Sequence, residues 1–192
     1  MNKIIVLSLL LIIGFTSCKT SEKEKEIDKL EIVKQYYNAL NDSDGVIMNA
    51  LLIDSLITKE VDYDYKQTFS KKEYIENWLK WDAVFNPTYK ILEIEEDKKT
   101  VKAKIFKTDI RILLLHEEPT VWNAVISFDA DKIISIERSN VVFNDQIWER
   151  NRAKLINWID NNHPELNGFL NGQTESMGLK YLKAIKLYNN KK

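Results

Sequence analysis

Cysteine and histidine are scarce in this sequence, which has one cysteine, Cys18, and two histidines among 192 residues. A single thiol cannot form a disulfide within the chain or build a thiolate metal site. Two histidines are also too few for an ordinary zinc site. The acidic loop that begins at Asp42 fails as a calcium-binding EF-hand, because its twelfth position is Ile53 and not a glutamate. The sequence therefore predicts no metal site and no cofactor.

Glycine and proline are also scarce, and neither sign of charge is in clear excess. The chain has 5 glycines and 3 prolines, which favours an ordered chain over a low-complexity one. Its 28 basic and 29 acidic side chains nearly balance, so no basic stripe is available to neutralise phosphates. We therefore expect no nucleic-acid partner. The length and the 44% hydrophobic content fit one domain with appendages.

The apolar run at the N-terminus is too short to be a permanent membrane span. Residues 4–15 follow Lys3, and a spanning helix requires about 20 apolar residues. A basic start, a short apolar region and small residues are typical of a secretory signal peptide. The sequence Thr16-Ser17-Cys18 resembles the lipobox of bacterial lipoproteins, with Phe15 where that family usually has leucine. The alternatives are an ordinary cleaved signal and an uncleaved anchor.

The lipobox resemblance implies that residues 1–17 are removed and that Cys18 becomes a lipidated N-terminus. Cys18 would carry a diacylglycerol thioether and an amide-linked acyl chain such as palmitate. One acyl chain gives marginal membrane binding, whereas two or more hold a protein firmly. Residues 18–26 would form a polar tether, and the predicted location is the bacterial cell envelope, with the membrane as a partner. Lipidation would also consume the only thiol, which excludes cysteine nucleophile chemistry.

Residues 121–143 have the pattern of an antiparallel β-hairpin. Two runs of β-branched and aromatic residues flank the acidic turn 129–132. Period-two alternation places Trp122 and Ile126 on one face of the first strand. In the second strand the same alternation places Arg138 and Asn140 on the face that carries Ile134 and Ile136. An apolar strand face that ends in an arginine and an amide can form the floor of a pocket.

Helices precede the predicted sheet and return after it. Helical periodicity predicts helices over 27–40, 46–52 and 71–85, and Ser70 with Glu73 forms a capping box for the third. Between them, 56–68 is predicted to be extended. Strand patterns follow over 89–95, 101–108 and 110–115. From residue 146 the helical spacing resumes, with a last helix predicted over 174–188.

This order of elements resembles the nuclear transport factor 2-like superfamily, which includes SnoaL-like and ketosteroid-isomerase-like proteins. The resemblance rests on residues 32–40 (IVKQYYNAL), residues 70–75 (SKKEYI) and residues 128–134 (FDADKII). It implies an α+β fold in which a curved antiparallel sheet wraps around the third helix as a cone, over residues 27–145. Residues 146–192, hereafter the extension, are an addition to the family's usual domain. The resemblance predicts nothing about them.

Candidate ligand-binding residues are those that the predicted cone would direct into its hollow. They are Arg138, Asn140, Trp78, Trp122, Tyr37 and Tyr63. A desolvated arginine requires an acidic partner or a ligand carboxylate. The alternatives are that a bulge turns Arg138 outward or that an internal acid pairs with it, and that the tryptophans belong to the core.

No catalytic arrangement is recognisable, and the candidates are Asp62, Asp64 and His116. The two aspartates fit equally well as solvated residues of an edge strand, and His116 fits as a surface residue in a turn. The sequence leaves three functions open. The first is a lipid-tethered module that binds a small molecule or an envelope protein. The others are a small acid–base isomerase or dehydratase and an accessory subunit of an envelope complex.

Overall fold

The computed structural model describes residues 28–191, so the predicted signal peptide, Cys18 and the tether lie outside the described residues. The described part of the chain starts with two helices, α1 (Lys29–Asp42) and α2 (Gly45–Leu51). Each is capped by an aspartate, Asp28 and Asp44, whose side chain accepts backbone N–H groups of the first turn. The left-handed conformation of Ser43 (φ 52°) lets the chain turn between the helices.

Two strands and a composite helix follow. β1 (Leu52–Glu60) and β2 (Tyr65–Ser70) are joined by a 3₁₀ turn, Val61–Tyr63. The third helix, residues 71–83, consists of α3 (Lys71–Glu73), a π-helical segment (Tyr74–Leu79) and α4 (Lys80–Ala83). The predicted capping box is confirmed, since the Ser70 and Glu73 side chains bond each other's backbone amides.

The remaining elements complete the sheet and add the extension. They are β3 (Thr88–Asp97), β4 (Thr100–Thr108), α5 (Ile110–His116), β5 (Thr120–Asp129), β6 (Lys132–Val142), α6 (Asp145–Asn162), a 3₁₀ turn (Pro164–Leu166) and α7 (Glu175–Asn189). Within residues 28–191, none of the helices combines the length and the apolar character that crossing a bilayer requires.

The six strands form one curved sheet in the order β2-β1-β6-β5-β4-β3. Neighbouring strands are antiparallel except β1 and β6, which are parallel, so the sheet is mixed and not wholly antiparallel as predicted. The concave face of the sheet buries α1 and the first part of the third helix in one hydrophobic core. This is the predicted α+β cone, with the C-terminal helices added.

Three local predictions are wrong. The segment 56–68, predicted to be extended throughout, is interrupted by the 3₁₀ turn Val61–Tyr63. Residues 110–115 form helix α5 and not a strand, because Asp109 caps them by accepting the amide of Ile112 at 2.6 Å. In β6, Ile133 pairs with Phe128 and Ser135 with Ser127, so Ile134 is the extra residue of a β-bulge. Ile133 therefore takes the core position that alternation assigned to Ile134, whereas Ile136 and Arg138, which follow the bulge, keep their predicted face.

A second hydrophobic core joins the extension to the cone. Leu155 and Ile159 of α6 and Tyr181 and Ile185 of α7 are buried against Trp81, Phe85 and Leu115 of the cone. Gly178 allows this contact, because a Cβ at that position would lie 3.1 Å from the carbonyl oxygen of Trp81. The extension is thus packed onto the end of the third helix and onto α5.

Candidate functional site

The hollow of the cone is an aromatic cavity of about 120 Å³. Its walls come from α1, the third helix and the concave face of β1, β2, β3, β5 and β6, with one residue of the extension, Gln173, at its edge. The aromatic residues that line it are Tyr36, Tyr37, Tyr65, Phe69, Tyr74, Trp78, Tyr89 and Trp122. We refer to it as the cone cavity.

Arg138 is the cation of the cone cavity. In the parallel pairing of β1 and β6 it lies beside Glu60, and its Nη2 forms an ion pair with that carboxylate. The guanidinium also lies 5.7 Å from the centre of the Trp122 ring. Its Nε is buried and has no hydrogen-bond partner among the described residues. Strand alternation placed Arg138 correctly, and the internal ion pair that was left open as an alternative is present but does not satisfy the whole side chain.

The six candidate ligand-binding residues do not all meet at this cavity. Arg138, Trp78, Trp122 and Tyr37 line it, whereas Asn140 and Tyr63 do not. The backbone amide of Asn140 donates to the Asp62 carboxylate at 2.6 Å. The 3₁₀ turn after β1 carries Tyr63 away from the concave face, so its ring is half exposed and its hydroxyl donates to Asp145 at 2.7 Å.

None of the three catalytic candidates lines the cone cavity. Asp62 and Asp64 lie in the exposed turn after β1, and Asp64 has a left-handed backbone (φ 47°). His116 ends α5, and its ring lies 4.5 Å from that of Phe143. The expectation of a surface histidine is wrong, because only 7% of His116 is exposed. Burial, and then the charge of Arg111, lower the pKa of His116, which favours the neutral imidazole.

The tyrosine hydroxyls of the cone cavity act as neutral hydrogen-bonding groups. The hydroxyls of Tyr36 and Tyr74 are 2.5 Å apart. Burial raises the pKa of Tyr36 to about 12, and burial together with the neighbouring Tyr36 raises the pKa of Tyr74 well above its ordinary value. Both therefore stay protonated near neutral pH and can donate to, or accept from, a ligand.

Carboxylates near the cone cavity are already engaged. Glu60 is the acidic residue of its lining, and it is held by Arg138. Behind the wall, Asp82 accepts from the Tyr89 hydroxyl and from the Lys107 ammonium, each at 2.6 Å. Although burial opposes ionisation, Lys107 and Arg111 hold the pKa of Asp82 below its ordinary value. Among residues 28–191 no metal-ligating cluster of three or more side chains occurs.

Several residues of the cone cavity were not identified from the sequence. Tyr36 and Tyr74 are on helical apolar stripes, which is also the spacing of ordinary core residues. Glu60 could have been found only by knowing that β1 pairs with β6 in parallel. Gln173 comes from the loop before α7, and its position depends on how the extension packs, for which local sequence gives no signal.

This chain is similar in structure to several solved proteins. No protein-family model and no curated protein matches the sequence. An NTF2-like protein of unknown function from Cytophaga hutchinsonii is 10% identical, with a TM-score of 0.48, over 62% of this chain and 94% of that chain. A cystatin-fold protein from Novosphingobium aromaticivorans is 18% identical, with a TM-score of 0.47, over 58% of this chain and 97% of that chain.

A third similar structure is a protein from Catenulispora acidiphila with a ketosteroid isomerase-like fold, solved in complex with trimethylamine. It is 12% identical, with a TM-score of 0.43, over 56% of this chain and 83% of that chain. Similarity at these levels carries no information about activity. The function therefore has to be derived from the residues of the site.

Proposed function

We propose that this chain is a lipoprotein of the bacterial envelope whose cone domain binds a small carboxylate-bearing molecule without transforming it. One observation carries the proposal for the site. Arg138 places a partly buried guanidinium, whose Nε is buried and unpartnered, in a cavity otherwise lined mainly by aromatic rings. A partly desolvated guanidinium with an unpartnered donor is suited to a ligand carboxylate, which can accept charge-assisted hydrogen bonds from it.

The dimensions and chemistry of the cone cavity favour a small aromatic acid. An apolar cavity of about 150 Å³ is known to hold benzene, so a cavity of about 120 Å³ accommodates roughly one ring. The stacked Tyr74 and Trp78 rings, whose centres are 4.8 Å apart, provide a flat wall for such a ring. The Tyr36 and Tyr74 hydroxyls add neutral polar groups beside it.

Binding without catalysis is favoured over the acid–base enzyme because of the carboxylates. An isomerase of the SnoaL kind requires a carboxylate base within reach of its substrate. In the described part of the chain, Glu60 is paired with Arg138 and Asp82 is paired with Lys107 behind the wall. Neither provides a free base in the cone cavity.

The accessory-subunit hypothesis required an exposed apolar patch on residues 146–190. In that range the large apolar side chain that is more than half exposed is Leu179, at 55%. The apolar faces of α6 and α7 are instead buried in the second core. An isolated exposed leucine is ordinary at a protein surface, so this hypothesis loses the feature on which it depended.

The binding proposal is tested with benzoate by isothermal titration calorimetry. Arg138→Gln should weaken benzoate binding about tenfold or more, because it removes a charge-assisted contact. Glu60→Gln should tighten binding, because the internal carboxylate no longer competes for the guanidinium. Lys104→Gln, which removes a cation paired with Glu93 on the outer face of the sheet, is the matched control and should change nothing. Equal affinity in wild type and Arg138→Gln, or weaker binding in Glu60→Gln, would contradict the proposal.

A further inference from the structure

A second cavity, of about 170 Å³, lies between the cone and the extension. Its walls come from Trp81 of the third helix, from α5, from α6 and α7, and from Leu170 in the loop before α7. It is separate from the cone cavity and shares no lining residue with it. It exists only because the extension packs against α5 and the third helix.

The lining of the second cavity is cationic. Arg111 and Arg152 contribute the positive charges, and no aspartate or glutamate lines the cavity. Arg111 is neutralised from behind, by Asp109 at 3.0 Å and Asp82 at 3.6 Å. Arg152 differs, because among residues 28–191 no carboxylate lies within ion-pair distance of its guanidinium. The guanidinium lies 5.5 Å from the Trp148 ring centre, so one cation in this cavity is not neutralised by an acid.

Two buried polar atoms of residues that line the second cavity also lack partners. Nε1 of Trp81 and Nδ1 of His116 are inaccessible to solvent and have no hydrogen-bond partner in the described chain. Trp81 and His116 are 9% and 7% exposed, and both line the second cavity. Buried polar groups are nearly always satisfied, so two orphans in one cavity point to an occupant. An indole N–H can only donate, and an imidazole nitrogen can do so, which makes that occupant an acceptor.

The remaining walls restrict which acceptor fits. Ile112, Leu115 and Leu170 give the cavity an apolar side. A single unneutralised guanidinium matches one negative charge, whereas a phosphate dianion would leave an uncompensated buried charge. The volume is sufficient for a short aliphatic chain but not for a large ligand. These features favour a monocarboxylate with a small apolar body.

We propose that the second cavity is a binding site for a small aliphatic monocarboxylate, held by Arg152 with Trp81 and His116 as donors. The carboxylate head contacts the guanidinium and the indole N–H, and the aliphatic tail lies against Ile112, Leu115 and Leu170. The site is independent of the ligand proposed for Arg138. Its occupant would contact both the cone and the extension, and would therefore stabilise their packing.

The test uses butyrate and the indole N–H signal of Trp81 in ¹H–¹⁵N correlation spectra, assigned with a Trp81→Phe variant. Titration of butyrate should shift that signal in the wild-type protein, and in Arg138→Gln, in which the cone cavity is impaired. Arg152→Gln should weaken butyrate binding about tenfold or more, and Trp81→Phe about fivefold, because each removes a donor. Neutral butanamide should cause no comparable shift.

The control variant is Arg150→Gln, on the same helix. Arg150 is half exposed and pairs with Glu117, so its loss should leave butyrate binding unchanged. Butyrate affinity that is equal in wild type and Arg152→Gln overturns the proposal, and so does an unshifted Trp81 signal at saturating butyrate, which would mean that water occupies the cavity. A site lost in Arg138→Gln and kept in Arg152→Gln would place butyrate in the cone cavity and also overturns it.

Discussion

At the scale of single residues, the buried ion cluster around Asp82 is the most consequential feature. Asp82 and Asp109 are matched there by Lys107 and Arg111, so the cluster is neutral. The side chains of both aspartates are at most 1% exposed. Removing one partner of such a cluster leaves a charge buried without compensation, which costs far more than losing an exposed ion pair.

We predict that Asp82→Asn lowers the free energy of unfolding by about 3 kcal/mol at neutral pH, because Lys107 loses its 2.6 Å partner. Asp97→Asn is the matched control. It removes an ion pair with Lys102 of the same length, 2.6 Å, but with both side chains over 40% exposed, and should cost less than about 1 kcal/mol. Urea denaturation measures both. Equal losses in the two variants would show that burial does not matter here.

The stabilisation by Asp82 also depends on pH. Its pKa is below the ordinary value in the folded chain, whereas in the unfolded chain it is about 3.9. The contribution is therefore complete above about pH 4 and is lost as the pH falls through the lower, folded pKa. We expect the stability difference between wild type and Asp82→Asn to be constant from pH 7 to about 5 and to shrink below pH 4 in the same denaturation experiment.

At the scale of elements, the packing of α7 on the third helix depends on Gly178. A Cβ there would meet the Trp81 carbonyl oxygen and a Val84 methyl group at 3.1 Å each. Alanine is the better helix former by about 1 kcal/mol, but overpacking costs typically 1–3 kcal/mol. We predict that Gly178→Ala destabilises the protein by about 1 kcal/mol in thermal or urea unfolding.

Leu179→Ala is the control for this helix, because Leu179 is adjacent and 55% exposed. It should change the free energy of unfolding by less than about 0.5 kcal/mol. A Gly178→Ala variant as stable as, or more stable than, the wild type would mean that α7 shifts freely on the third helix. In that case the extension would not hold its position through this contact.

Elements were predictable wherever periodicity and capping agreed. Ser70 and Glu73 identified the start of the third helix, and alternation placed Arg138 on the concave face. The same alternation puts Lys107 on the buried face with Val101, Ala103 and Ile105, but it could not identify the acidic partners that Lys107 finds there, and the ion cluster was not predicted. The run 110–115 was misassigned because a short apolar run fits either a strand or a buried helix. Its cap, Asp109, was the deciding residue.

At the scale of the whole molecule, the predicted cone and the added extension are both present. The long-range contacts within and between them could not be predicted from the sequence. Parallel pairing of β1 with β6 joins residues far apart in the chain, and it brings Glu60 to Arg138. The second core likewise joins Trp81 to α6 and α7. Both depend on tertiary packing, for which a local pattern carries no information. The parallel pairing supplies Glu60, the counter-ion of Arg138 in the cone cavity. The second core forms the whole of the second cavity.

The proposed anchor at Cys18 is a prediction about residues outside the described part of the chain. Intact-mass spectrometry of the membrane fraction should find a mature protein that begins at Cys18 and carries acyl chains, which bind membranes firmly when two or more are present. Cys18→Ser should abolish that modification, whereas Ser17→Ala, which keeps a small residue before the cysteine, should not. A mature protein with an unmodified Cys18 would contradict lipidation.

The parallel seam between β1 and β6 also constrains how this chain acquires its structure. The β1–β2 hairpin and the β3–β6 strands are two halves of one sheet, and they meet only at that seam. The seam cannot form until the last strand has been synthesised, and closing so long a loop costs entropy before any contact compensates for it. A nascent chain therefore presents the open edge of β1 to other strands, and protection of that edge during synthesis becomes part of the protein's biology.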